Sequence, residues 1–316
     1  MKTLNSIDLL KDPEYIAFTG VQESQNILSA TELADVAVES FSQEDANTGL
    51  KLPFPKTHDD FALRPGEVTL WTGINGHGKS QILNQICALT MPISKWLIAS
   101  LEMPLRSTVN RMVKQMGGLA NPSEDYIRKL IKKTDGQVWL YDQIDTVESS
   151  RILGLVDYAA NKLGVNHIII DSLVKCGLGL DDYNAQKNFV DRLAWSARRN
   201  NVHIHLVHHI RKSEREGKMP DKFDVKGAGE IVDLVDNLVI FHRNKDKEDQ
   251  CRILTAKHDK TDSDIKQLKK LEGIPDNVIY IAKQRHGTGK EGKYGVYHEP
   301  NSLQYLSSPK ARPFNL

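Results

Sequence analysis

The octapeptide Gly73-Ile-Asn-Gly-His-Gly-Lys-Ser80 constrains this chain more than any other feature. It satisfies the pattern G-x-x-x-x-G-K-S, follows the apolar run 68–72 and opens the largely apolar stretch 81–89. Strand, glycine-rich turn and helix in that order make a cradle. Inward-turned backbone N–H groups, the positive end of the helix dipole and a lysine there converge on phosphate. Gly73, Ile74, Asn75, Gly76, His77, Gly78, Lys79, Ser80 and Gln81 are therefore candidate contacts to ATP or another nucleoside triphosphate. Lys79 supplies a point charge to the β- and γ-phosphates, and Ser80 a hydroxyl to Mg²⁺.

The pattern around this motif is strand–helix alternation from residue 49 onward. Strands are expected over 67–72, 95–101, 138–141, 167–170, 203–208, 237–242 and 278–285, several of them continuously apolar as parallel strands buried on both faces should be. Helices are expected over 79–89, 106–116, 150–163 and 185–199. The layout is α/β: a mostly parallel central sheet with helices on both faces. Residues 245–272 read as a charged insertion carrying one helix near 263–271. Residues 1–48 form a polar arm with one helix, whose Leu33, Val36, Ala37 and Phe41 share a face, followed by a linker. Two domains are expected: 1–48, a segment suited to swapping onto a neighbour, and 49–316, the nucleotide-binding domain.

Chemistry beyond the P-loop is sparser. Asp171 ends the buried run 167–171. An aspartate there is by itself more often a cap or turn residue, but with a P-loop upstream it becomes the candidate second ligand of Mg²⁺. His203 and His205 share one strand face at a spacing metal sites use, yet no cysteine or carboxylate set accompanies them. Lys283 and Arg285 are expected on the same strand face as Ile279 and Ile281, where polar residues replacing apolar ones suggest a contact beyond the subunit core. Lys and Arg total 42 against 41 Asp and Glu, a formal net charge of +1. Any nucleic-acid contact must then come from local basic segments. Cys87, Cys176 and Cys251 are scattered, which excludes a zinc ribbon and a disulfide scaffold and suits a reducing compartment. No leader or membrane-spanning run is legible, so a cytoplasmic protein of a bacterium or phage-infected host is expected.

Several further segments stand in one order. They are ASLEMP at 99–104, LVHHIRK at 206–212, KGAGEIVDLVDNLVIFHR at 226–243 and IAKQRHGTG at 281–289. With the P-loop they resemble the helicase domain of the DnaB-type hexameric replicative DNA helicases, nearest the branch of phage primase–helicases and mitochondrial Twinkle. The resemblance spans residues 49–307 and implies a RecA-like fold. It makes Glu102 the carboxylate that orients the attacking water. His208 becomes the γ-phosphate sensor, with His209 leaving the register uncertain by one. Lys283 and Arg285 become residues that act on a neighbour's nucleotide, and Tyr297 an aromatic against the base. It also makes Arg211, Lys212, Arg215, Lys218, Lys226, Gly227 and Gly229 the track for single-stranded DNA. The charged loop 210–225 is read as carrying no interleaved aromatic, so base stacking is not expected.

The resemblance further implies ATP and Mg²⁺ as cofactors and a homo-hexamer or heptamer as the assembly. The arm leaves no room for a primase, so a separate primase and polymerase are the expected partners, and no membrane. Besides the helicase reading stand a RecA-like ATP-dependent single-stranded DNA-binding or recombination protein without unwinding, and a regulatory ATPase acting on a protein.

Overall fold

The computed structural model describes residues 49–179, 182–210, 219–224, 228–287 and 289–316, together with Val38. The expectations for the arm, with its Leu33, Val36, Ala37 and Phe41, lie outside those residues, as do those for Arg211, Lys212, Arg215, Lys218, Lys226 and Gly227. The larger of two compact units, Asn47–Leu316, holds the sheet and the helices around it.

Nine strands form one sheet: β1 (Val68–Thr72), β2 (Trp96–Ser100), β3 (Val138–Tyr141), β4 (His167–Asp171), β5 (His203–Val207), β6 (Asn237–Arg243), β7 (Asn277–Gln284), β8 (Gly292–Glu299) and β9 (Gln304–Leu306). Their order is β3-β2-β4-β5-β1-β6-β7-β8-β9. Pairing is parallel from β3 to β6 and antiparallel from β6 to β9. The helices are α1 (Lys79–Thr90), α2 (Leu105–Gly117), α3 (Glu124–Lys133), α4 (Ser149–Tyr158), α5 (Tyr183–Asn200), α6 (Ala228–Leu234), α7 (Lys245–Ala256) and α8 (Asp262–Glu272). A π-helical turn, Ala159–Leu163, extends α4. Gly229 falls in the first turn of α6. Among the described residues no helix is long and apolar enough to cross a membrane.

Successive residues of a strand point to opposite faces, so each central strand feeds two cores. Leu70, Ile168, Ile204 and Leu238 join Leu193 and Ile231 of α5 and α6 on one face. Trp71, Ile98, Ile169 and Val239 join Ile82 and Met112 of α1 and α2 on the other. That double burial is why these strands read as unbroken apolar runs.

Three features depart from the expectations. Helix α3 buries Leu130 alone and is held by its ends: the Ser123 side chain accepts from the Tyr126 N–H, with Glu124 and Asp125 in the first turn and Lys132 and Lys133 in the last. The insertion 245–272 holds two helices where one was expected, the second started by a Thr261–Asp264 capping box.

The third departure lies in β7. Val239 pairs with Ile281 but Leu238 with Lys283, so Ala282 is an extra residue and the register shifts there. A bulge of this kind reverses the facing of the residues beyond it. Lys283 therefore lies on the Leu238 face, away from Ile279 and Ile281, and its Nζ donates to Val232 O (2.6 Å) and Val235 O (2.8 Å) at the end of α6.

His203 and His205 are core residues. The His203 ring donates through Nδ1 to Arg64 O (2.6 Å) and accepts through Nε2 from the Thr69 hydroxyl (2.9 Å). Trp71 Nε1 donates to His205 Nδ1 (3.2 Å), which leaves the proton on His205 Nε2 to meet His167 Nδ1 (3.3 Å). Trp96 stacks on both His167 and His205. Burial holds His203 down to about 4 and His167 and His205 well below the ordinary histidine value. The rings are neutral and filled with protein partners, and among the described residues no cluster of three His, Cys, Asp or Glu could hold a metal.

Candidate functional site

Strands β2, β4, β5 and β1 are consecutive neighbours running in one direction, so whatever follows their carboxyl ends is gathered at one edge. After β1 comes the phosphate loop, after β2 Glu102, at the end of β4 Asp171 and after β5 His209. Registers align the ends: Ser100 sits opposite Asp171, and Ile170 opposite Leu206. The result is a cavity of about 360 Å³ lined by Lys79, Ser80, Glu102, Arg111, Asp171 and His209, among others.

The loop is shaped by its glycines where their freedom is needed. Gly78, the N-cap of α1, has φ of 98°, and a Cβ there would collide with the Tyr305 hydroxyl. Asn75, Gly76, Gly78, Lys79, Ser80 and Gln81 all reach the cavity. His77 turns inward instead: it is buried, its Nδ1 accepts from the Arg243 N–H (3.0 Å), and burial lowers it to about 4. It shapes the loop.

Lys79 Nζ donates to Gly73 O (2.8 Å) and Ile74 O (3.2 Å), so the ammonium sits inside the loop it would share with phosphate. Burial lowers it to about 8, against the opposing pull of Asp171 and Glu102. Asp171 is buried, and burial raises its carboxyl while a hydrogen bond with Ser80 and the charge of Lys79 draw it down. A buried carboxylate joined to a hydroxyl suits a hard cation. With one carboxylate and one hydroxyl from the protein, Mg²⁺ would take its remaining oxygens from phosphate and water.

Glu102 is the opposite case. His209 Nε2 lies 3.4 Å from its Oε1, and the Ser172 hydroxyl donates to the same oxygen. The His209 bond foremost, helped by Ser172, holds this carboxyl at about 2 despite partial burial. Glu102 is thus an ionised acceptor beside the phosphate cradle. The two histidines after β5 separate cleanly: His209 lines the cavity, whereas His208 is buried with its backbone N–H on Trp71 O (2.9 Å).

Sequence reading missed Arg111. It comes from α2 and lines the cavity, with one buried Nη1 atom that has no hydrogen-bond partner among the described residues. The signal was present, because Arg111 falls on the i, i+3, i+4 stripe that buries Thr108, Met112 and Gln115. Tyr297 is not brought to this cavity. Its hydroxyl donates to Gly273 O (3.0 Å) and its ring lies under Lys247, in a separate cavity of about 500 Å³. His298, one residue on, lines a cavity of about 320 Å³ that meets the phosphate loop at Gln81.

Lys283 and Arg285 sit at the other edge. Gln284 pairs with Asn237, at the start of β6. Arg285 donates to Asp233 O and lies 3.4 Å from the Asp236 carboxylate, which is buried and accepts from the Val68 N–H at the start of β1. The five residues of β1 alone separate this edge from the phosphate loop, about 17 Å at the usual rise.

Cradle lysine, the serine beside it, buried aspartate and ionised glutamate at the carboxyl edge of a parallel sheet define a P-loop nucleoside triphosphatase of the RecA-like class. A family model described as AAA domain matches residues 52–215, and the chain belongs to that family. Among curated relatives, a Twinkle homolog protein, chloroplastic/mitochondrial, of Arabidopsis thaliana is 23% identical over 207 residues, covering 59% of this chain and 29% of its own length. A DNA helicase/primase of Enterobacteria phage T3 is 25% identical over 244 residues, covering 69% and 43%. The chain thus spans less than half the length of these relatives. A solved DnaB-like replicative helicase, described with its interactions with primase, superposes with a TM-score of 0.69 at 16% identity, covering 93% of this chain and 72% of its own. A second solved structure, described as an ATPase domain, gives 0.68 at 16%, covering 87% and 96%. Fold and matches together support the DnaB-type replicative helicase group that the sequence motifs resemble.

Proposed function

We propose that this chain is the motor subunit of an ATP-dependent DNA helicase that tracks along single-stranded DNA as a closed ring, in phage-type replication. One observation supports the ring: the residues assigned to the phosphates stand at two edges of one sheet. Lys79, Ser80, Glu102, Asp171 and His209 gather at the carboxyl edge. Lys283 and Arg285 stand at the amino edge, a strand length away, and cannot reach the nucleotide of their own subunit. A head-to-tail neighbour brings the two edges together, and head-to-tail contacts close into rings.

The chemistry follows from charge placement. ATP phosphates entering the cradle would take over the Lys79 ammonium from the loop carbonyls, and Ser80 and Asp171 would hold Mg²⁺, which would supply positive charge against the phosphate. Glu102, ionised at any working pH, accepts a proton from the attacking water and aims its oxygen at the γ-phosphorus. Arg111, which lines the cavity, supplies a guanidinium from the same subunit. His209, bonded to Glu102 and placed at the head of the stretch 210–225, is the group that senses the γ-phosphate, in preference to His208. Arg285 of the preceding subunit completes charge neutralisation in the transition state. Basic residues following His209 hold the DNA backbone through phosphate, without reading bases.

The test is ATP hydrolysis with and without single-stranded DNA, beside unwinding of a forked duplex. DNA-stimulated hydrolysis with unwinding supports the helicase. Stimulation without unwinding supports a RecA-like DNA-binding ATPase, and indifference to DNA removes the DNA track.

A further inference from the structure

Phe223 corrects one expectation, for it is an aromatic within the stretch 210–225, five residues beyond Lys218. It is 80% exposed. Its outward placement is built. The Asp221 carboxylate accepts the Phe223 N–H (2.8 Å), and the Asp224 carboxylate accepts the Asp221 N–H (2.9 Å). These two bonds lock the short 3₁₀ turn Lys222–Asp224. They also turn both carboxylates onto the backbone, where they satisfy N–H groups.

Lys222 Nζ stands 5.8 Å over the Phe223 ring. A cation and an aromatic face are thus offered together, next to a cavity of about 340 Å³ that also takes in Val232, Asp233, Lys283 and Glu291. The charges around the ring argue against an apolar protein partner, since interface cores are depleted in charged residues. Lys222 over the Phe223 ring suits a ligand that is aromatic on one side and anionic on the other.

We propose that Phe223 is a stacking platform for a base of single-stranded nucleic acid, with Lys222 beside it for the adjoining phosphate. This rests on the reading of 210–225 as the DNA track and gives that track a base contact it otherwise lacks. Stacking on a π-face tolerates any base, so the contact adds affinity without sequence preference.

Binding of a fluorescently labelled oligo-dT to the full chain with Mg²⁺ and a non-hydrolysable ATP analogue, at several salt concentrations, tests it. Phe223→Ala and Phe223→Leu should each weaken binding roughly 5- to 150-fold, the range for loss of one stacked base. The slope of log affinity against log salt should stay put, because every phosphate contact remains. Phe223→Trp should restore affinity, with indole emission quenched on adding oligonucleotide. If Leu binds as tightly as Phe, or the indole emission is unmoved by DNA, the platform is refuted. If the Ala variant alters assembly in light scattering while DNA affinity holds, the aromatic side chain faces a second copy of this chain and the proposal falls. Failure of the wild type itself to bind oligo-dT is a separate result: it removes the DNA track and this contact with it.

Discussion

Acid should destabilise the nucleotide-binding domain through the histidines buried at the amino edge of the sheet. Burial holds His203 at about 4 and His167 and His205 well below the ordinary value, whereas in the unfolded chain each titrates near ~6.5. As pH falls below that value the unfolded chain takes up protons that the folded chain refuses. Stability present above it is therefore lost on the acid side. At pH 5.5 the loss at His203 is about 1 kcal/mol, and His167 and His205 add losses of the same sign. Even one such loss is a sizeable part of the ~5–15 kcal/mol of a typical domain. Glu67 and Asp171, both raised by burial, act in the opposite sense, so the whole-protein slope is a difference. His203→Gln isolates one site, because a glutamine amide can still donate to Arg64 O and accept from Thr69. Urea melts followed by the emission of buried Trp71 and Trp96 should show wild type more stable than the variant at pH 7.5. That gap should close by about 1 kcal/mol at pH 5.5. A gap of the same size at both pH values would refute the neutral buried ring.

Other expectations concern the site itself. Glu102→Gln should bind ATP normally and lose roughly 10²–10⁴-fold in turnover, read by equilibrium nucleotide binding beside steady-state hydrolysis; loss of binding would contradict its water-orienting role. His209→Asn should cut DNA-stimulated hydrolysis by roughly 10²-fold, as removal of one transition-state donor does. His208→Asn should act through stability, visible as a lower melting temperature with turnover per folded molecule retained. Replacing Arg211, Lys212, Arg215 and Lys218 by Ala should flatten the salt dependence of single-stranded DNA binding by about 0.7 in log–log slope for each cation taken from a phosphate, and an unchanged slope would move the track elsewhere.

Much of the fold was legible because the central strands are buried on both faces, and a run such as His167-Ile-Ile-Ile has no other use. Val138–Tyr141 was legible as an apolar run too, although it lies at the sheet edge and its four residues are only half-buried. Elements held by their ends were not legible: α3 buries one leucine and α7 only Lys247 and Leu254, so neither shows an apolar stripe. The face of Lys283 was misread because a period of two assumes an unbroken ladder, and the bulge at Ala282 depends on pairing with β6. At the site, local pattern was enough to put the glycine-rich loop between β1 and α1 and Asp171 at the end of β4. The choice between His208 and His209 was not, since it turns on which of two adjacent side chains leaves the end of β5 toward Glu102. Arg111 was overlooked although its stripe position marked it.

The division of the phosphate machinery between two sheet edges is the central claim, and mixing two inactive variants tests it most directly. Lys79→Ala removes the cradle lysine but leaves Arg285 to lend, while Arg285→Ala leaves an intact cradle that awaits a neighbour's arginine. Each alone should hydrolyse ATP poorly, an arginine of this kind being worth roughly 10³–10⁵ in rate. Rings assembled from both, with co-assembly established by co-purification of differently tagged subunits, should regain hydrolysis at interfaces where a Lys79→Ala subunit faces an Arg285→Ala cradle. Mixed rings that form and remain inactive would mean that Arg285 serves its own subunit, and would contradict the shared site.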